Sequence, residues 1–178
     1  MSGPWLTFLR DVDNTLEADV EIHCVGGFAL TVLVDRARPT GDVDIINVLP
    51  PQAEEELLEI AGQDSPLAAK HRLHVQAVRV TDPPSDYEDR LIDVTPADFQ
   101  KLNVKILDPY DLVLTKAQRN HPKDRHDAGA LIEGCRLDKQ TLRKRFENEV
   151  KPFLAVASEK TALTVELWLE EFFGQSKS

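Results

Sequence analysis

Cysteine is scarce: Cys24 and Cys135 are the only two, far apart and each in an apolar context. That excludes a disulfide framework and a four-cysteine metal knot, and predicts buried free thiols in a reducing compartment. Aromatic residues make up 6% of the chain, too few for a platform on which single-stranded bases stack. Basic residues are outnumbered, 21 Lys and Arg against 31 Asp and Glu, for a formal net charge of −10. Such a surface repels nucleic acid and anionic membranes as a whole, so a polyanionic ligand needs a local basic patch or a metal ion. No apolar run approaches the roughly 20 residues of a membrane helix. No basic stretch followed by a long apolar run opens the sequence, so a cytoplasmic location is expected. There is no internal repeat and no low-complexity segment.

What is present suits a globular protein. Apolar residues reach 42% and charged residues 29% of 178 positions, enough for a core without staples. Apolar periodicity predicts a helix over Trp5–Leu16, a strand over Val20–Val25 and a short helix over Phe28–Arg36. A turn at Arg38–Gly41 leads into a strand over Asp42–Val48, and a helix over Gln52–Ala61 follows Pro50-Pro51. Further strands are expected at Leu73–Val80, Arg90–Val94 and Leu102–Leu107. From Asp108 the pattern turns helical: Pro109–Gln118, Pro122–Glu133 ended by Gly134, Leu137–Val150 and Ser158–Phe173. The fold class is α/β (α+β), a small mixed sheet flanked by helices with a C-terminal helical region. The expected division is an α/β core over residues 1–107 and a helical region over 108–178.

Two clusters carry chemistry. In the first, Gly26-Gly27 lies between a strand and a helix. Two glycines there allow a ligand to approach the backbone, and the helix's first amides can take a phosphate. Asp42 and Asp44, two apart on a strand, point to one face. Side by side they repel, and a divalent cation such as Mg²⁺ or Mn²⁺ between them resolves the repulsion. In the second, Lys116 and Arg119 share a helix face, and Lys123, Asp124 and Asp127 open the next helix. Lys116, Arg119 and Lys123 are the clustered cations that triphosphate binding needs in an acidic protein. The helix dipole alone accounts for Asp124; Asp127 sits against an apolar row.

The segments Val25-Gly26-Gly27-Phe28-Ala29-Leu30 and Arg38-Pro39-Thr40-Gly41-Asp42-Val43-Asp44-Ile45 resemble the nucleotidyltransferase fold. They are closest to the AbiEii/MenT-like group of small bacterial nucleotidyltransferases linked to toxin–antitoxin and phage-defence systems. That group shows a Lys-x-x-Arg followed by a Lys/Arg-Asp-x-x-Asp element, matched here by Lys116, Arg119, Lys123, Asp124 and Asp127. The resemblance implies a nucleoside triphosphate substrate, Asp42 and Asp44 as metal ligands, and Gly26, Gly27, Arg38 and Thr40 near the nucleotide. It also implies Lys116 and Asp127 as catalytic, and Lys116, Arg119, Lys123 and Asp124 in the nucleotide site, with Asp124 or Asp127 orienting a metal ligand or deprotonating the acceptor. The acceptor it implies is a hydroxyl on a tRNA 3′ end or a protein, and the partner is of antitoxin type.

The chain departs from the pattern at one place. Polymerase-type transfer draws on a third carboxylate from the next strand, where this sequence has Gln76. Asp86, Glu88, Asp93 and Asp127 are the available substitutes, with Asp127 favoured. The competing readings are a degenerate nucleotidyltransferase that only binds nucleotide, and an adenylyltransferase for a small molecule such as an antibiotic. His71-x-x-His74 lacks further ligands for zinc, and His23-Cys24 lacks a partner acid for nucleophilic catalysis.

Overall fold

Val20–Val25 (β1) is rich in β-branched side chains and forms the middle strand of a five-stranded mixed sheet. In the computed structural model, which describes residues 3–34, 40–79, 82–154 and 158–174, the strand order is β3-β2-β1-β5-β4. Asp42–Leu49 (β2) runs antiparallel to β1, and Leu102–Ile106 (β5) runs parallel to it. His74–Ala77 (β3) lies parallel to β2 at one edge, and Ile92–Asp93 (β4) lies antiparallel to β5 at the other. The register of β1 against β2 slips between His23 and Cys24, so Ile46 is an extra residue on β2. That bulge keeps Val43, Ile45 and Val48 all on the buried side.

The two faces of the sheet differ in kind. One carries Ile22, Cys24, Val43, Ile45, Val75, Val104 and Ile106, all buried. Helix α1 (Pro4–Thr15) packs on β5, and α3 (Ala53–Ala61) packs on β2 and β3. Helix α1 presents Trp5, Phe8, Leu9 and Val12 at helical spacing, the stripe its sequence predicts. The other face carries polar side chains by the period of two: Glu21 and His23, Asp42 and Asp44, His74 and Gln76, Lys105 and Asp93. Helix α2 (Gly26–Leu33) starts where β1 ends.

The chain divides into two compact units. The sheet unit comprises Met1–Val32, Arg38–Arg79 and Leu91–Leu107; the helical unit comprises Leu33–Ala37, Val80–Arg90 and Asp108–Ser178. In the sheet unit, Asp13 is a structural anchor. Its buried carboxylate accepts from the backbone N–H groups of Gln100, Lys101 and Leu102, at 2.7–3.1 Å, and so fixes the entry to β5. Burial raises the pKa of Asp13, but those amides outweigh it and hold the carboxyl below its ordinary value of 3.8. Its contribution to stability is therefore present above the unfolded value and is lost as pH falls through the lowered folded one. Urea melts of Asp13→Asn and wild type should differ most above pH 5 and converge in strong acid.

The helical unit comprises α5 (Pro109–Arg119), α6 (Pro122–Gly134), α7 (Lys139–Arg145) and α8 (Ser158–Phe173). Asp108 caps α5 and also binds Arg145 at 2.8 Å. Buried Asp111 accepts from Arg90 and Arg145 at 2.9–3.1 Å. On α8, Trp168 is buried and meets Phe172 edge to face, and Phe172 lies over Gly129. The outward apolar residues of this helix are Leu163 and Leu167, not the aromatic ones.

Four expected elements differ, one of them the strand at Arg90–Val94, which is reduced to Ile92–Asp93 because Arg90 ends a 3₁₀ turn. The strand at Leu73–Val80 is shorter, His74–Ala77, with position 80 outside the described residues. Helix α6 runs through Gly134 to a cap at Cys135. The helix expected over Leu137–Val150 is α7, which gives way to a π turn at Phe146–Val150. A helix the sequence reading missed, α4 (Pro66–His71), is capped by Ser65, whose hydroxyl accepts from the Ala68 N–H at 3.0 Å.

Candidate active site

The end of β1 and the start of β2 meet at Val25 and Asp44, which are paired in register. Gly26 follows at φ +69°, a left-handed conformation that glycine adopts without strain. Close approach gives a second reason for glycine: a Cβ at position 26 would run into the Asp44 carboxylate. Gly27 is held for a parallel reason. A Cβ there would sit 2.9 Å from the Thr40 hydroxyl and 3.0 Å from Thr40 Cβ. Thr40 in turn donates its hydroxyl hydrogen to Asp42, and Thr31 donates to the Gly27 carbonyl at 2.9 Å, bracing the first turn of α2. Each glycine is thus matched to one part of the aspartate strand, Gly26 to Asp44 and Gly27, through Thr40, to Asp42.

Asp42 and Asp44 are half-buried and alternate with the fully buried Val43 and Ile45, so both carboxylates lie on the polar face. Their Cα atoms are about 7 Å apart by strand geometry. Cys24 shows the charge from behind: burial first, then the Asp44 carboxylate, push its thiol far above the ordinary range. It is no nucleophile at neutral pH.

Parallel pairing sets His74 beside Asp42 and Gln76 beside Asp44. The place next to Asp44 where a third carboxylate would stand therefore holds an exposed amide. Asp93 lies across the sheet on β4, three strands from β2 and so about 14 Å away. Its carboxylate accepts from the Thr95 N–H at 2.9 Å, and bonds from Thr95 hold its pKa down. In the sequence His74 stands out only as half of a two-histidine pair; its place beside Asp42 depends on strand pairing between distant segments. His71, its expected companion, instead bonds Asp11 at 2.7 Å. Among the described residues, no group of three or more His, Cys, Asp or Glu side chains could hold a metal ion. Arg38, expected near the nucleotide, lies outside the described residues.

In the helical unit, the motif residues bind one another. Lys116 is 3% exposed, and its ammonium lies 2.8 Å from Asp127 and 3.9 Å from Asp124. Arg119 forks onto Asp124 with bonds of 2.9 and 2.5 Å. Asp124 also accepts from the His121 N–H at 2.8 Å, closing a capping box at the start of α6. Burial raises the Asp124 pKa, but Arg119, the His121 amide and Lys116 together bring it below the ordinary value. Asp86 and Glu88 belong to this unit, by a 3₁₀ turn at Tyr87–Arg90. Lys123 is exposed, and Arg119 is about half exposed.

Two carboxylates on one face, beside a backbone cradle that a Cβ would fill, suit Mg²⁺, which is commonly held by one or two carboxylates with phosphate oxygens completing the shell. The fit of Gly26 against Asp44 is tight enough to test. Gly26→Ala should lose about 1–3 kcal/mol of stability from the left-handed φ and the displaced carboxylate, read by urea denaturation.

A family model described as "Nucleotidyltransferase of unknown function (DUF6036)" matches residues 8–177. No curated protein and no solved structure matches the chain.

Proposed function

We propose that this chain, which belongs to the DUF6036 family of nucleotidyltransferases, moves a nucleoside monophosphate from a nucleoside triphosphate to an acceptor hydroxyl at the Gly26–Gly27/Asp42–Asp44 cradle. The observation that carries the proposal is the mutual fit of the glycine pair with Thr40 and the two aspartates. The reaction joins an acceptor oxygen to the α-phosphorus and breaks the bond to the β-phosphate, releasing pyrophosphate. Asp42 and Asp44 would hold the divalent cation, with Thr40 fixing the Asp42 rotamer. Bound there, Mg²⁺ would neutralise charge on the phosphates as the bond to pyrophosphate breaks. The first amides of α2 would point at phosphate oxygens, as a helix N-terminus favours.

In the helical unit, Arg119 and Lys123 are the candidates for triphosphate contact, because they reach solvent. Lys116 and Asp127 are proposed to act indirectly, by holding α5 and α6 together. The candidate acceptors are a tRNA 3′ end, a protein and a small molecule; the toxin–antitoxin role belongs to the same reading. Incubation with a nucleoside triphosphate labelled on the α-phosphate, Mg²⁺ and a cell extract should move the label into one of those classes. Label in none of them would favour the second reading, a nucleotide-binding protein without turnover. The amide of Gln76 beside Asp44 is the observation that supports that second reading.

A further inference from the structure

The edge of the sheet next to the cradle is open. In β3, the N–H of His74 donates to Gly41 and that of Val78 to Ile45, both on the β2 side. With the parallel register Asp42↔His74 and Asp44↔Gln76, this fixes which backbone groups face β2. His74, Gln76 and Val78 direct their N–H and C=O groups toward β2; Val75 and Ala77 direct theirs outward. Among the described residues, nothing hydrogen-bonds those outward groups. They open into a cavity of about 520 Å³, whose far wall is the end of α3 and the turn into α4. That volume lies in the range of true ligand pockets. Exposed sheet edges are ordinarily covered, charged or kept very short. Here a wall stands off from the edge and leaves a slot beside it.

The charge of the slot is of one sign. Glu59 and Asp64 line it, Leu58 and Val75 give it apolar floor, and no Lys or Arg is among its lining residues. The acidic character is that of Glu59 and Asp64 alone, since Glu54, on the first turn of α3, is paired with Arg79 at 2.5 Å.

We propose that this slot binds an extended, basic segment of a partner polypeptide, which adds to the sheet as a sixth strand beside β3. Its backbone pairs with the N–H and C=O of Val75 and Ala77. Every second side chain faces the end of α3 and the turn into α4, where cationic groups meet Glu59 and Asp64 and their aliphatic stems lie on Leu58. The length that β3 offers is four residues, about 13 Å. The inference does not depend on the nucleotidyltransfer reading, since the slot uses none of the cradle's carboxylates.

The test uses the full chain and a fluorescent peptide of alternating lysine and valine, followed by anisotropy and by amide hydrogen exchange. The expected result is saturable binding that weakens as salt is raised. Exchange at the N–H groups of Val75 and Ala77 slows, while that of Gln76, already bonded to β2, is unchanged. N-methylation of alternate peptide amides, or a glutamate–valine peptide, should lower affinity at least 10-fold. So should Glu59→Lys combined with Asp64→Lys, two surface changes that leave the core untouched. Ala77→Pro removes one outward donor without breaking a bond to β2, and should have the same effect.

Several results would overturn the proposal. One is no binding; another is binding indifferent to N-methylation, which would mark a small-molecule pocket. A third is protection of Val75 and Ala77 that grows with protein concentration in the absence of peptide, which would make the occupant a second copy of the chain.

Discussion

Asp44→Asn is expected to lower nucleotidyl transfer by about 10²–10³-fold, the loss of about 3–4 kcal/mol of transition-state stabilisation. The side chain keeps its shape and its place against Gly26, so what disappears is the charge that holds the cation. Unfolding in urea without nucleotide separates a lost cation from a lost fold: a rate that falls while the variant still unfolds cooperatively assigns the loss to the site. Asp42→Asn should behave alike in rate, with Thr40 retaining a hydrogen-bond acceptor at position 42. Activity retained in Asp44→Asn would move the chemistry away from β2.

The second large effect is on folding. Lys116→Met should cost about 3–5 kcal/mol, because it leaves the Asp127 carboxylate in the interior without the ammonium 2.8 Å away. Lys116→Met with Asp127→Leu should recover most of that loss, since a buried ion pair replaced by apolar groups of like size is often neutral. Urea midpoints of the two single variants and the double variant make a cycle that measures the coupling. If Lys116→Met is as stable as wild type, the pair is not a support of the helical hairpin. A role for its ammonium in binding phosphate would then regain weight.

Much of the architecture was legible in the sequence where the signal was local. Val20–Val25 and Ser158–Phe173 have the bounds that β-branching and helical periodicity predict. The glycine pair and the two aspartates were legible because i, i+2 spacing on a strand fixes a common face. Short or long-range features were not. Helix α4 is six residues with one buried side chain, so it has no apolar period; Ser65-Pro66, a cap followed by proline, was the signal available. The bulge at Ile46 shows only as a slip in the alternation, Val43 and Ile45 being followed by apolar Val48 with Ile46 and Asn47 between. That Gln76 and His74 flank the aspartates follows from the pairing of β3 with β2, which joins segments about thirty residues apart. Lys116 reads as a surface cation by type. Its burial comes from Asp111–Ala117, seven consecutive buried positions on α5 that no single helical face would predict. The carboxylates of Asp124 and Asp127 make that burial tolerable.

The cradle is the centre of the account, and binding of a magnesium–nucleoside triphosphate complex tests it apart from any acceptor. At 100 times Kd, wild type should gain about 2.7 kcal/mol, which raises Tm by about 5–10 °C for a chain of this size. Asp42→Asn with Asp44→Asn should melt as cooperatively as wild type without nucleotide and show no shift with it. An undiminished shift in the double variant, or none in wild type across the nucleoside triphosphates, would contradict the assignment of Gly26, Gly27, Asp42 and Asp44 as the nucleotide site.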